Sequence, residues 1–413
     1  MASASNVSGR GLSSRVPALT DAWLDRLDAV SADALGVSDV RGTKLADAVA
    51  RVSHAYNLQR DALAELQGDD DALCARLKFF LPRDLLKVHG PLSELHALDA
   101  LPKRTAWRVL DLGAGLGSTS LGAARFAALS GCAERLQVTA VDIDAEALAL
   151  FERVAPTAAL LPGVAIELRT LAADLRQPAA LRAQLSPPYD VILMGLALNE
   201  LHAEGAATAA AASLMEISGL LADDGVLIVL EPALRETSRV LHAVRDVLAA
   251  RAARPHVFAP CLRSAPCPML ARPRDYCHER VPHALPPRLA ELAQRAGLRD
   301  ADLTYSYLTL HAQPRSLNEL AANRPDVSLY RAVSAPLPSK GKLELWLCGA
   351  QAAPRAMRLD RHASPDNAAI ESAGRGSLLR IAGTKAGDGD EARLRITQEV
   401  QIEQLLGWEA EER

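Results

Sequence analysis

The sequence predicts an α/β protein built on a doubly wound, mostly parallel sheet, preceded by a helical N-terminal region and followed by a small β appendage. Three observations carry this. Short apolar runs fall at Trp107–Leu112, Leu136–Asp142, Val164–Leu168, Tyr189–Leu193 and Val226–Glu231, with Ala- and Leu-rich helical stretches between them. Regular alternation of this kind makes the strands parallel and covers the sheet on both faces. Ahead of them, apolar residues recur at helical spacing through Leu19, Trp23, Leu27 and Val30, then Leu45, Val49, Val52, Tyr56, Leu63 and Leu66. Behind them, strand-like Ser377–Ile381 and Ala392–Ile396 flank the turn Gly383–Asp390.

The chain divides accordingly into a disordered tail (1–16), a helical region (17–104), a core (105–350) with a Cys-rich insertion at 255–283, and the β appendage and tail (351–413). Within the core the texture turns to Pro, Arg and Cys near Pro255, then pattern returns with a helix over Pro287–Gly297 and strands over Leu303–Leu310 and Leu343–Cys348. Those two strands are expected to close the core sheet in antiparallel fashion.

With 413 residues and 49% hydrophobic content the chain can bury a full core. A net charge of −4 excludes a uniformly basic nucleic-acid coat, yet residues 234–361 hold 20 Lys and Arg against 11 Asp and Glu. The electropositive surface therefore belongs to the later half, where Arg239, Arg263, Arg272 and Arg274 are expected to contact phosphates. Arg outnumbers Lys and Ala is abundant, as in GC-rich genomes, so the bacterial cytoplasm is expected ahead of a mitochondrion. No run of 18 apolar residues predicts a membrane span, and Met1–Val16 lacks a signal-peptide core. That start is Ser-rich with Arg and no acids, a composition that transit peptides share with disordered tails.

Val109-Leu110-Asp111-Leu112-Gly113-Ala114-Gly115-Leu116-Gly117-Ser118-Thr119 reads as strand, glycine turn and helix start. Glycines at alternate positions let the backbone turn sharply and approach a ligand, while the helix start offers free N–H groups. A tight turn with no ligand uses the same residues, so neighbours must decide. Asp111 stands two residues before Gly113, as in the Asp-x-Gly-x-Gly-x-Gly signature of class I methyltransferases, and Ser118 occupies the place where the NAD pattern has Gly. Asp142 ends the second strand, placed to accept both ribose hydroxyls of S-adenosylmethionine. Asp174, after the third strand, is placed against the adenine amino group or caps a helix.

The fourth strand runs into Gly195-Leu196-Ala197-Leu198-Asn199-Glu200-Leu201-His202. It lacks the Asn-Pro-Pro-Tyr motif with which amino methyltransferases position a planar nitrogen. Asn199 and Glu200 are the candidates to orient a methyl acceptor and take its proton; a helix cap and a solvent-facing acid are the alternative.

Six cysteines occur, and Cys261, Cys267 and Cys277 fall within 17 residues. Three unrelated buried thiols is one reading. Structural zinc sites favour pairs two to four residues apart, whereas these gaps suit the larger perimeter of an iron–sulfur cluster. Cys348, ending a strand, is the expected fourth ligand, with His278 and His283 as alternatives; Cys74 and Cys132 are expected to be structural.

Over roughly residues 75 to 385 the chain resembles the methyltransferase-like proteins of small-ribosomal-subunit assembly. The resemblance rests on Phe80-Leu81-Pro82-Arg83-Asp84 leading to Gly90-Pro91-Leu92, the Asp111–Gly117 loop, Asn199-Glu200-Leu201 and Val229-Leu230-Glu231-Pro232. Its most specific part is the Ala-Pro-Cys, Cys-Pro, Cys-His series that ends in Leu347-Cys348-Gly349. It implies that Cys261, Cys267, Cys277 and Cys348 hold a four-iron cluster and that the core binds S-adenosylmethionine. Leu262-Arg263 and Glu279 depart from the residues the family commonly carries beside its first and third cysteines. The expected protein is a monomeric factor that engages, and methylates, the small ribosomal subunit or its RNA. An assembly chaperone without turnover and a small-molecule methyltransferase with zinc are the alternatives.

Overall fold

In the computed structural model of the chain, residues 19–58, 66, 68–156, 164–202, 206–282, 285–298, 302–321, 327–384 and 393–407 are described. The tail 1–16, Leu63, His283, Ala392 and most of the turn Gly383–Asp390 lie outside them. Five helices open the fold: α1 (Asp21–Leu35), α2 (Gly42–Leu58), α3 (Asp70–Ala75), α4 (Leu81–Asp84) and α5 (His89–Ala97). A π-helical turn, Arg76–Phe80, joins α3 to α4. Trp23, Leu27 and Val30 of α1 pack into the main core, while Val49 and Val52 of α2 pack with Phe79 and Phe80.

The core then alternates: β1 (Ala106–Leu112), α6 (Ser118–Ser130), β2 (Arg135–Asp142), α7 (Ala145–Val154), β3 (Ala165–Ala172), α8 (Pro178–Arg182), β4 (Tyr189–Gly195), α9 (Leu198–Leu201), α10 (Ala207–Ser218), β5 (Leu221–Pro232) and α11 (Arg235–Ala249). It ends with β6 (His256–Ala259), β7 (Glu279–Pro282), α12 (Pro287–Arg295) and β8 (Asp302–His311). The sheet order is β3-β2-β1-β4-β5-β8-β6, with β7 also on β8. Strands β1 to β5 are parallel, and β8 runs antiparallel to β5, β6 and β7. Alternate side chains feed opposite faces: Val109, Val191 and Ile228 enter one core, Leu110, Ile192 and Val229 the other. Strand order reverses between β1 and β4, and ligands of open α/β sheets bind beyond the carboxyl ends of strands at such a switch.

Two strands differ from expectation. Strand β3 extends past Leu168 to Ala172, because this sheet edge turns Glu167 and Arg169 to solvent and the apolar run understates it. The strand expected over Leu343–Cys348 to close the core sheet pairs in a second sheet instead, leaving only β8 of that expected pair in the first. The second sheet comprises β9 (Val327–Ala332), β10 (Leu337–Ser339), β11 (Lys342–Gly349), β12 (Arg355–Leu359), β13 (Leu378–Ala382), β14 (Arg393–Ile396) and β15 (Gln401–Leu406), with α13 (Ala369–Ser372) between β12 and β13. Its alternation is the cause: Leu343, Leu345 and Leu347 are buried, whereas Lys342, Glu344, Trp346 and Cys348 turn outward, the pattern of a half-covered antiparallel strand.

The order is β14-β12-β11-β9-β13-β15, with β10 on β11. Strands β14 and β15, at opposite ends of this order, are joined by residues 397–400, so the sheet curls around a core of Leu345, Leu379, Ile396 and Ile402 plugged by Ile370. This small barrel is fastened to the first sheet. Leu329, Leu378 and Leu406 enter the main core. Arg331 donates to the carbonyls of Pro260 (3.0 Å) and Gly376 (2.7 Å) and pairs with Glu94 (2.7 Å).

Candidate functional site

The glycine loop leaves β1 at the switch point. Gly113 and Ala114 donate backbone N–H groups to the Val141 carbonyl (2.8 and 3.0 Å), which fastens the loop to the end of β2. Gly113 sits at φ +75°, and a Cβ there would meet that of Ala197 at 2.5 Å. Gly117, at φ +82°, starts α6 where a Cβ would lie 2.2 Å from the Phe151 ring. Both therefore require glycine, for backbone conformation and for close approach. Asp111 is fully buried, accepting from Thr119 (2.8 Å) and Ser120 (2.6 Å), so it braces the first turn of α6. Burial pushes its carboxyl up to about 6 against those hydrogen bonds.

Asp142 ends β2 half-buried beside the loop. Its Oδ2 accepts from the Gly115 N–H (2.7 Å) and its Oδ1 from the Asp144 N–H (2.9 Å), which aims the carboxylate at the space above Gly115. Asp174 forms a local turn, pairing with Arg176 (2.9 Å), whose guanidinium holds its carboxyl below the usual range. The next residues, Leu175 and Arg176, line a cavity of ≈ 260 Å3 with Leu112, Met194, Leu201 and His202.

Beyond β4, Leu196 adopts φ +63°, a left-handed conformation uncommon for a branched residue and a form of backbone strain that gathers at functional sites. Asn199 is half-buried and Glu200 exposed on α9. Sequence reasoning gave Glu231 no role, yet its buried Oε1 accepts the N–H groups of Leu198 (3.1 Å) and Asn199 (3.4 Å). It caps α9 from the end of β5, a partnership across 32 residues that no local pattern announces. Replacing Glu231 with Ala should cost about 1 kcal/mol, as lost helix caps do. Hydrogen exchange at Leu198–Leu201 should then speed up at unchanged exchange in β1.

The N-terminal helices reach over the same loop. Arg76, in the π-helical turn, donates to Asp144 (2.7 Å) and brings Nη2 within 3.4 Å of where a Gly115 Cβ would stand. Tyr56 of α2, read from the sequence as an apolar helix position, faces the charges of Arg76, Glu200 and Asp142, and burial raises its phenol. A π-turn frequently marks a functional site, and this one aims Arg76 at the loop.

The cysteines form the second feature. Burial raises the Cys277 thiol well above the usual value, and Glu279, Cys261, Cys267 and Cys348 raise it further. Burial likewise takes Cys267 up to about 12 and Cys348 to about 11, with Cys261 adding to both. The four thiols thus share one enclosed region, against which Arg245 stands as a countercharge. Among the described residues, however, no group of three or more His, Cys, Asp and Glu side chains is arranged to hold a metal ion. His278 stacks on Tyr276 (4.9 Å), and Cys74 and Cys132 hydrogen-bond to Ser31 and Ser130 away from the group.

Helix α11 fixes the backbone of the cysteine loop. Asp246 accepts from the Cys267 N–H (2.9 Å), His242 from the Cys277 N–H (2.9 Å), and Arg245 donates to the Ala265 carbonyl (2.7 Å). Burial lowers His242 to about 4, so it accepts as a neutral ring. Arg239, expected on phosphate, instead donates to the carbonyls of Met269, Leu270, Arg272 and Asp275. Arg263 faces Cys348, and Arg272 and Arg274 are exposed. A polar stripe at positions 239, 242, 245 and 246 was the signal for this anchor.

An open sheet in the order β3-β2-β1-β4-β5-β8-β6, its β8 antiparallel and a glycine loop at its switch, is the α/β fold of class I S-adenosylmethionine-dependent methyltransferases. The chain belongs to the Rsm22 family, described as mitochondrial small ribosomal subunit Rsm22, whose model matches residues 80–365. No curated protein matches it in sequence. Among solved structures it is similar to a precorrin-6y C5,15-methyltransferase from Geobacter metallireducens, at 13% identity over 53% of this chain and 87% of that one, with a TM-score of 0.29. A methyltransferase from Agrobacterium tumefaciens matches at 16% identity over 56% and 63%, TM-score 0.33. One from Clostridium acetobutylicum matches at 14% over 49% and 65%, TM-score 0.28. Among the described residues no helix is long and apolar enough to cross a membrane.

Proposed function

We propose that this chain is an S-adenosylmethionine-dependent methyltransferase acting on the small ribosomal subunit or its RNA in the bacterial cytoplasm, with an iron–sulfur cluster held by Cys261, Cys267, Cys277 and Cys348. The observation that carries the first part is the glycine loop at the switch point with the Asp142 carboxylate aimed above it. The family supplies the ribosomal part.

S-adenosylmethionine supplies a methyl group on a sulfonium, and such a transfer asks mainly for alignment. Asp142 accepts the ribose hydroxyls on the lone pairs left by its two N–H contacts. Gly113, Gly115 and Gly117 would bring backbone against the ligand, Asp111 braces the helix that follows, and Asp174, held in its turn by Arg176, would be the acid offered to the adenine amino group. Asn199 orients the acceptor, and the exposed Glu200 takes its proton, both on a helix that Glu231 holds. At the second feature the donor set is four thiols; burial raises the Cys261 thiol, and Arg245 and Arg331 act against that rise. What supports a cluster over zinc is the irregular spacing of Cys261, Cys267 and Cys277, which departs from the close pairs of structural zinc sites. A cluster there would supply a cross-link between the loop and the barrel.

Asp142→Ala should weaken S-adenosylmethionine binding ten- to a hundredfold, since lost hydrogen bonds to a charged group cost roughly 1.5–3 kcal/mol. Calorimetry on the purified chain checks this, and unchanged affinity would remove the cofactor assignment. Incubating the chain with small-subunit particles and methyl-labelled cofactor tests the reaction: label in particle RNA or protein supports it, and none leaves a non-catalytic binding factor.

A further inference from the structure

We propose that the small barrel binds single-stranded RNA across the outer face of β11 and β12, with Trp346 as its stacking platform. The inference deepens the ribosomal reading, on which the choice of RNA rests; the surface itself is argued from the barrel.

Topology comes first. Counting β9 with β10 as one strand, broken by residues 333–336, and β14 with β15 as another, broken by residues 397–400, the barrel has five strands. Their pairing runs first to second (β9 and β10 on β11), second to third (β11 on β12), third to fifth (β12 on β14), fifth to fourth (β15 on β13) and fourth to first (β13 on β9). The third and fifth are parallel, and α13 lies between the third and fourth. This is the connectivity of the oligonucleotide/oligosaccharide-binding barrel, which takes its ligand on the face of strands two and three.

A fold does not fix a function, so the face must carry the chemistry itself. On β11 the outward residues are Lys342, Glu344 and Trp346, before Cys348 takes the same face into the cysteine region, and register places Arg355 opposite Trp346 and Met357 opposite Glu344. Arg355 lies over the indole, 5.5 Å from its centroid. On β14, Arg393 stands beside Arg355 and Arg395 beside Met357, both exposed. Lys342, Arg355, Arg393 and Arg395 therefore surround one carboxylate, Glu344, which Lys342 (2.9 Å) and Arg355 (3.4 Å) already pair. Leu337, opposite Glu344 on β10, is 46% exposed. A face with one indole, exposed apolar surface and four cations around a single carboxylate matches an unpaired polynucleotide, whose bases stack while its phosphates seek cations. A duplex hides its base faces and would leave Trp346 without a partner.

The test uses the full chain and a fluorescently labelled, mixed-sequence 12-nucleotide RNA, single-stranded or annealed to its complement, read by anisotropy. Single-strand binding is expected, preferred over duplex. Trp346→Ala should weaken it roughly tenfold or more, from the worth of one stacked base, while Trp346→Phe keeps most of it. Arg393→Ala with Arg395→Ala should flatten the logarithmic salt dependence by about 1.4, at about 0.7 per cation on a single strand. An unchanged thermal unfolding profile and unchanged protease resistance of the barrel show that each variant is folded; should Trp346→Ala fail that control, the two arginine substitutions decide alone. Wild-type affinity in Trp346→Ala, equal affinity for duplex, or preference for an acidic peptide overturns the proposal. If the chain binds small-subunit particles but no single strand, this inference falls and the ribosomal reading stands. Binding of single strands through Trp346 without any engagement of particles gives the reverse.

Discussion

Arg331→Ala should lower the stability of the chain by about 3–5 kcal/mol, the cost of stripping one partner from a buried ion pair. The side chain is 4% exposed and reaches four separate parts of the fold: Glu94 on α5 (2.7 Å), Glu279 on β7 (4.0 Å), the Pro260 carbonyl in the cysteine loop and the Gly376 carbonyl in the barrel. Without the guanidinium, two buried carboxylates face each other with only Arg375, near Glu279, as a remaining countercharge. Glu94 would keep the Tyr307 hydroxyl at 2.5 Å, which does not neutralise it. Urea denaturation measures the loss, and the double variant Arg331→Ala, Glu94→Gln should lose less than the two single losses added, because removing the carboxylate's charge relieves the orphan. A single variant within 1 kcal/mol of the parent, on the order of an exposed pair, would mean that packing rather than this ion pair joins barrel to core.

The parallel sheet was legible because a doubly covered strand must be apolar on both faces, and Val109, Leu110, Val191 and Ile192 show that run directly. The glycine loop was legible for a local reason as well: conformation at Gly113 and clearance at Gly117 are demands that only glycine meets. The cysteine group could be read from its loop and from one strand end. What the sequence hid depends on distant pairing. Glu231 acts on α9 from another strand, Arg331 joins segments from Glu94 to Gly376, and Arg76 meets Asp144 across the site. The barrel was hidden because its first and fifth strands are each broken into short pieces and its β12–β14 pairing is parallel across an intervening strand. Leu343–Cys348 carried the needed signal in its alternation, but as an isolated strand it did not reveal which sheet it joins.

Cys348→Ser should abolish most of the iron and acid-labile sulfide bound per folded chain, if the four thiols hold a cluster as proposed. Cys348 lies on β11, paired in register with Arg331, whereas Cys261, Cys267 and Cys277 belong to the loop that α11 anchors. A cluster held by all four would tie barrel to core beside the Arg331 contacts, and its binding free energy would become partly folding free energy. The variant should therefore become protease-sensitive around residues 261–277 while S-adenosylmethionine binding, set by the other end of the sheet, persists. Cys74→Ser and Cys132→Ser are the controls: Cys74 is buried beside Ser31 and accepts from the Val40 N–H, Cys132 sits by Ser130, and neither should change the iron content. A full iron complement in Cys348→Ser would remove it from the ligand set and make His278, stacked on Tyr276 next to Cys277, the residue to replace next.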